Sequence, residues 1–350
     1  MHHKKVTGRT AVLASLAALM VMSVVAAVLP AEDDVEGTWA KIMGPIETDN
    51  SCDACHGSEV GAWKLTHHFA TFRNRHKDKR AKEIRANLGV KRMKDPAPEN
   101  MCLECHYTMG TKSNKFRPRW GVSCESCHGP AQDWVNIHYK VGGTADGKVM
   151  KWGDGKNEPS AQRAARLDAA AAAGMIHSEM IYDIAVNCFG CHTVPNEELV
   201  NKGKHKAGSD FDLVAWSQGE IRHNFVSSAG APDNPTNRPA TKQQLRRLYV
   251  VGAMVDLEIS LRNLAAAQDM EGAYHAAMAA RVGRCKDKIQ QILAAVEIPE
   301  LAAVMKSDDP ATPDQVGAAA RTFVRTHDGS TLGAIDGMIP TAYMGSAYKE

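Results

Sequence analysis

The sequence has few aromatic residues and no motif for phosphate or acyl chemistry. Phe, Trp and Tyr make up only 6% of its 350 residues, so side chains alone supply few large flat groups for a core. There is no glycine-rich phosphate loop, nucleophile elbow or paired acidic motif of a hydrolase. A net charge of +2 gives no reason to expect nucleic acid as a partner. These absences argue against nucleotide-binding and hydrolytic enzymes.

Almost all of the cysteine lies in one repeated motif. The pentad Cys-x-x-Cys-His occurs four times and uses eight of the nine cysteines. Two thiols in such a pentad add across the vinyl groups of a porphyrin, and the histidine becomes the proximal iron ligand. The sequence therefore predicts four covalently attached haem c groups. Their residues are Cys52, Cys55 and His56; Cys102, Cys105 and His106; Cys124, Cys127 and His128; and Cys188, Cys191 and His192.

Two other uses of these cysteines were weighed. The eighteen residues between Cys105 and Cys124 also fit a four-cysteine zinc ribbon. Disulfides or a thioredoxin-like dithiol would suit an exported chain. Neither alternative needs a histidine after every second cysteine, whereas haem does. Haem also explains the shortage of aromatic residues, because porphyrins are themselves large apolar bodies around which short helices can pack.

The sixth ligand of each iron decides whether it relays electrons or binds a substrate. Four histidines outside the pentads follow a motif closely enough to be predicted as distal ligands: His68, His138, His205 and His223. His67 is the alternative distal ligand to His68, and His177 is a further alternative distal ligand.

The first thirty residues are predicted to be a targeting segment. Basic residues precede an uncharged apolar run, 11–29, which fits either a cleaved signal peptide or a retained membrane anchor. Both place the haems in the periplasm, and the second would anchor the chain to the inner membrane.

The rest of the chain predicts a mainly α-helical fold, with short helices and loops packed around four haems. We expect a tetrahaem cytochrome domain over 31–230 and a C-terminal helical region over 241–350. In that region a capping box at Thr241 and an apolar stripe through Cys285 predict two long helices in an antiparallel hairpin. Helices are also expected over 160–173, with Ser160 as the cap, and over 79–88, ended by Gly89.

A basic run covers 73–94. It is interpreted either as a solvated helix face or as a docking patch for an acidic redox partner.

The segment Trp63-Lys-Leu-Thr-His-His68, which follows the first pentad, and the run Cys124-Glu-Ser-Cys-His-Gly-Pro resemble the tetrahaem cytochrome c-554 family over roughly 51–225. That family includes the electron acceptor of hydroxylamine oxidoreductase. The resemblance implies a mainly helical fold with haems in stacked pairs. It also implies that one of the haems can be five-coordinate. It also implies that His138 serves the first haem and His68 the third.

The leading hypothesis is an electron carrier rather than an enzyme, passing single electrons between a donor and an acceptor protein through bis-histidine haems. The alternatives are a haem enzyme of nitric oxide, hydroxylamine or nitrite chemistry, and a membrane-anchored quinol-oxidising cytochrome. The C-terminal helices are interpreted as an interaction or dimerisation element, and no nucleic acid is expected.

The motif count makes a direct prediction. The exported protein should retain four haem c groups per chain after denaturation, because thioether bonds survive unfolding. A pyridine haemochrome spectrum of the purified chain measures this number. A colourless protein, or one that carries zinc, would contradict the haem interpretation.

Overall fold

A computed structural model describes residues 52–54, 56–97, 99–112, 115–138, 158–223, 239–306 and 311–343. The targeting segment and Cys55 lie outside these residues. The described part is mainly helical, as predicted. No helix in it has both the length and the apolar character needed to cross a membrane.

Short helices and one hairpin of strands make up the first half of the described chain. After a 3-10 turn at Cys52–Ala54, they are α1 (Gly57–Trp63), α2 (His67–Asn74), α3 (Lys79–Leu88), α4 (Leu103–His106), β1 (Thr108–Lys112), β2 (Lys115–Trp120), α5 (Cys124–His128) and α6 (Val135–His138). A second 3-10 turn, Arg75–Lys77, joins α2 to α3.

Longer helices dominate the second half. They are α7 (Ser160–Ala172), α8 (Ile181–His192), α9 (Glu197–Asn201), α10 (Leu213–Ser217), α11 (Lys242–Ala266), α12 (Ala273–Ala295), α13 (Pro299–Val304) and α14 (Pro313–Thr326), followed by a 3-10 turn at Gly333–Met338.

Three of the four pentads lie at the ends of helices. Those of Cys102, Cys124 and Cys188 occupy α4, α5 and the last turn of α8. A helical turn brings residues three and four positions apart onto one face. The two thiols and the histidine of each of these three pentads therefore share a face, as attachment to one porphyrin requires.

The strands β1 and β2 form an antiparallel hairpin that the sequence analysis did not foresee. Its register pairs Thr108 with Trp120 and Lys112 with Lys115. The Thr108 hydroxyl donates to the carbonyl oxygen of Gly121 at 2.8 Å and lies 2.6 Å from the Ser126 hydroxyl of α5. The hairpin thereby joins the second pentad, in α4, to the third.

The C-terminal hairpin is confirmed. The helices α11 and α12 pack together across a short connection, and Thr241 and Gln244 form the expected capping box. One hydrophobic core includes Phe189 of α8, Met254 of α11, Ile292 of α12 and Phe323 of α14. The helix carrying the fourth pentad is therefore packed within the same core as the C-terminal helices. The domain boundaries themselves stay a prediction.

Two local predictions had different outcomes. Gly89 ends α3 in the left-handed conformation at φ 75°, as expected. Ser160 does not cap α7, because Pro159 occupies the cap position and Ser160 is already the first helical residue. Proline is favoured near a helix start since its fixed φ suits the helix and its missing N–H needs no partner there.

The shared core predicts a large effect of truncating Ile292, which is fully buried in α12. Ile292→Ala should lower the free energy of unfolding by about 2–5 kcal/mol, because it removes buried methyl groups and leaves a cavity. Urea unfolding followed by far-UV circular dichroism measures this. Met270→Ala, at a side chain that is 65% exposed, is the control, with an expected change of about 0.5 kcal/mol or less.

Candidate haem sites

Three pairs of imidazole rings face each other across narrow gaps. The ring centres of His56 and His138 are 6.3 Å apart. Those of His68 and His192, and those of His128 and His223, are each 6.2 Å apart. Each pair combines the histidine of one pentad with a histidine from outside the pentads. The three gaps are thus nearly equal, although the rings come from different parts of the chain.

These gaps fit one metal ion between two imidazoles. A metal–imidazole bond in proteins is about 2.0–2.1 Å long. Two such bonds in line, with the distance from each nitrogen to its own ring centre, separate the centres by roughly 6.3 Å. The observed gaps match this value. The residues therefore fit an iron held between two axial histidines, as in a bis-histidine haem.

The outer nitrogen of several rings is already bonded to the chain. Nδ1 of His128 lies 2.8 Å from the carbonyl oxygen of Ile176, and Nδ1 of His138 lies 2.7 Å from that of Val135. A carbonyl oxygen can only accept, so each Nδ1 carries the proton and Nε2 keeps its lone pair. Further Nδ1 contacts join His205 to the Lys206 carbonyl at 2.8 Å, His223 to the Ile221 carbonyl, and His192 to the Ser209 hydroxyl at 3.2 Å.

Burial favours the uncharged form of six of these histidines. It lowers the pKa of four histidines to about 4, well below the ordinary value; these are His106, His128, His138 and His192. Burial also lowers the pKa of His56 and His68. A neutral imidazole is the form that ligates a metal. The sites thus present lone pairs rather than protons near pH 7.

The partnering differs in part from what the resemblance implied. His138 does lie opposite His56 of the first pentad, as expected. The expectation for His68 is wrong, because its ring faces His192 of the fourth pentad rather than His128 of the third. His223 takes the place opposite His128. The cause is the position of α2, whose start is bonded to Glu220 in the segment that follows the fourth pentad.

Glu220 also separates the roles of the two adjacent histidines. Its buried carboxylate accepts from the backbone N–H of His67 and lies 3.1 Å from the Nδ1 of that residue. His67 is consequently turned to Glu220, while His68 faces His192. On the other side of α2, a Cβ at Gly121 would lie 2.2 Å from the carbonyl oxygen of His68. Only glycine allows the third-pentad segment to approach α2 so closely.

The second pentad differs from the others. Among the described residues no ring is recorded opposite His106 at a similar gap. His205 lies near enough for its charge to lower the pKa of His106, after the larger effect of burial and that of Arg75. His177, the further alternative for a distal ligand, accepts from the backbone N–H of Glu179 at 3.4 Å and faces no pentad histidine in the described structure.

Cysteine side chains of different pentads contact each other in two pairs. Cys52 contacts Cys124, and Cys105 contacts Cys191. The cysteines of the second and third pentads therefore do not gather as a zinc ribbon would require. Within the described residues no group of three or more Cys, His, Asp or Glu side chains is arranged to hold a metal ion by itself.

An arginine of the C-terminal helices holds the residue that contacts His192. The sequence did not predict this contact. Ser209, which contacts His192, accepts at its carbonyl oxygen from the buried guanidinium of Arg281 at 2.8 Å. Arg281 also pairs with Asp256 of α11 at 2.6 Å. Because the link passes through a backbone carbonyl, no residue spacing could have indicated it.

Part of the chain is similar to known cytochromes. Residues 51–129 match the family model described as cytochrome c554 and c-prime. Cytochrome c-554 of Nitrosomonas europaea is 29% identical over 107 residues. The likeness to the cytochrome c-554 family is confirmed. It indicates a c-type cytochrome, the class that carries covalently attached haem and transfers electrons. No solved structure matches the chain.

The extent of the cytochrome c-554 match is limited. The aligned part covers 28% of this chain and 44% of the relative, so the chain spans less than half of that protein's length. The family model covers the first three pentads and ends before Cys188. The C-terminal helices, which pack around the fourth pentad, also lie outside it.

The ring pairs predict the effect of removing one distal histidine. His223→Ala should convert one of the haems from low spin to high spin, because it removes the ring opposite His128 and leaves the iron five-coordinate. Electron paramagnetic resonance of the oxidised protein measures this. His275→Ala, in α12 and outside the ring pairs, should leave the spectrum unchanged. An unaltered spectrum of His223→Ala would contradict the pairing.

Proposed function

We propose that this chain is a periplasmic tetrahaem c-type cytochrome that relays single electrons between redox proteins through bis-histidine haems. The three imidazole pairs at 6.2–6.3 Å are the observation that carries the proposal. An iron closed on both sides changes its oxidation state without binding substrate. Four haems follow from the four pentads, and no catalytic side chain is needed.

The residues of the chain have distinct parts in this function. When bound, haem iron supplies the one-electron chemistry. The pentad cysteines attach the porphyrins, and the facing histidines close the irons. The bonds from Nδ1 to carbonyl oxygens fix the ring orientations, so that little rearrangement accompanies a change of charge. The thiol contacts of the first pentad with the third, and of the second with the fourth, favour short routes between those haems.

The periplasmic location rests on the N-terminal segment and on the chemistry of c-type haem attachment. The donor and acceptor are proposed to be proteins. A quinol-oxidising role would require the apolar segment 11–29 to be retained as an anchor. N-terminal sequencing of the mature protein distinguishes retention from cleavage.

A second candidate function is nitrogen-oxide chemistry at one haem. The observation in its favour is His106, which has no facing ring at the common gap among the described residues. A five-coordinate haem there could bind a small ligand such as nitric oxide. In the electron-relay proposal, His205 closes this iron instead.

Carbon monoxide separates the two candidates, because a reduced haem binds it readily only when one axial position is open. The electron-relay proposal predicts little uptake by the reduced wild-type protein. It also predicts uptake at one haem after His205→Ala. Optical titration measures both quantities, with His275→Ala as the control. Uptake of one carbon monoxide per chain by the wild type, unchanged in His205→Ala, would support the second candidate and contradict bis-histidine closure at His106.

A further inference from the structure

The run 73–94 carries a concentration of positive charge that the chain as a whole does not share. It contains ten Lys and Arg residues against two acidic residues, a net charge of +8. The whole chain has a net charge of +2, so the remaining residues carry −6. The positive charge is therefore local.

Seven of these ten basic residues are exposed, and a second basic segment lies against them. The carbonyl oxygens of Gly203 and Lys204 accept from Asn87 and Arg80 of α3, which docks the loop 202–206 against that helix. We call the combined exposed residues the basic surface: Arg73, Lys77, Lys79, Arg80, Lys82, Lys91, Arg92, Lys202, Lys204 and Lys206.

Few carboxylates neutralise the basic surface. One of its ion pairs is close, with 2.8 Å between Lys202 and Glu198. The other three are loose, at 3.8–3.9 Å: Arg80 with Glu83, Arg92 with Asp95, and Lys206 with Asp210. Asp78 is engaged as the cap of α3, where it accepts from the backbone N–H of Arg80. Repulsion between neighbours is also evident, because the charge of Lys77 lowers the pKa of Lys94 after the larger effect of burial.

The positive charges at the start of α3 destabilise the folded chain when no partner is bound. The first turn of α3 has no acidic residue and contains Lys79, Arg80 and Lys82. The positive end of the helix dipole lies there, so cations are destabilising at this position. Over 78–88 the cap Asp78 and Glu83 stand against four basic residues, so one sign of charge dominates, whereas alternating signs are typical of a solvated helix face. An anionic partner would offset both the repulsion and the dipole.

The basic surface lies beside the second pentad. Ala81 of α3 packs in one buried cluster with Cys102 and Leu103 of the second pentad. Lys94 lies 3.5 Å from the ring centre of Phe72 and 5.8 Å from that of Tyr107, the residue after His106. A partner on this surface would therefore sit close to the haem of the second pentad.

We propose that the basic surface is the docking site for an acidic electron-transfer protein, which exchanges one electron with the haem of the second pentad. This inference rests on the proposed electron-relay function and assigns one of its two partners. The donor loses one electron and a ferric haem becomes ferrous. Complementary charge would steer the encounter and speed it at low salt.

The test uses the complete haem-loaded protein and a reduced plant-type ferredoxin, an acidic one-electron donor of low potential. Stopped-flow absorbance follows haem reduction at low and high ionic strength. Lys79→Glu/Lys82→Glu lowers the net charge by four within the basic surface. Arg284→Glu/Lys306→Glu makes the same change at exposed positions in α12 and just after α13 and is the matched control.

The first double variant should react at least about tenfold more slowly than wild type at low salt, the lower end of the effect of electrostatic steering. It should also lose most of its salt dependence. The control should stay within about twofold, because screening limits the reach of distant charges. Equal slowing of both variants, or of neither, would overturn the docking site.

Two further measurements keep the outcomes distinct. Dithionite should reduce every haem in all three proteins. Failure of that reduction would count against the proposed function rather than the docking site. Binding of the wild type to phosphatidylglycerol vesicles that is lost in Lys79→Glu/Lys82→Glu, with unchanged ferredoxin kinetics, would instead assign the basic surface to an anionic membrane.

Discussion

Three pairs of imidazole rings are the constraint on which this structure depends. The ring centres of each pair are separated by the distance that one metal ion bound to both rings would require. Such rings would drift apart or collapse together unless their helices were fixed from outside. The bonds from Nδ1 to backbone carbonyls provide part of that fixation for His128, His138 and His223. The close approach at Gly121 and the carboxylate of Glu220 fix the helix that carries His68.

The C-terminal helices belong to the same arrangement. They pack on α8, which ends in the fourth pentad, and Arg281 reaches the loop that bonds to His192. The interpretation of this region as an interaction or dimerisation element stays a prediction beside this supporting role. A buried ion pair between Arg281 and Asp256 is weak evidence for stability. It does fix the geometry of the Ser209 loop.

The sequence predicted the features that depend on neighbouring residues. Residues a few positions apart define the pentads, the capping box at Thr241 and the end of α3 at Gly89. The apolar stripe through Cys285 likewise indicates the buried face of α12. Pairings between distant histidines are different. His68 and His192 are separated by more than a hundred residues, and only the packing of α2 decides which pentad histidine His68 faces. The strands β1 and β2 were not predicted because both are short, β1 lacks an alternating pattern, and Pro118 within β2 argues against a strand.

The central claim concerns which histidine faces which pentad. The most direct measurement is a crystal structure of the haem-loaded protein, with the irons located by anomalous scattering. The account predicts an iron about 2 Å from Nε2 of both histidines in each of three pairs: His56 with His138, His68 with His192, and His128 with His223. An iron bound by His68 and His128 together, or pentad histidines without iron, would contradict it.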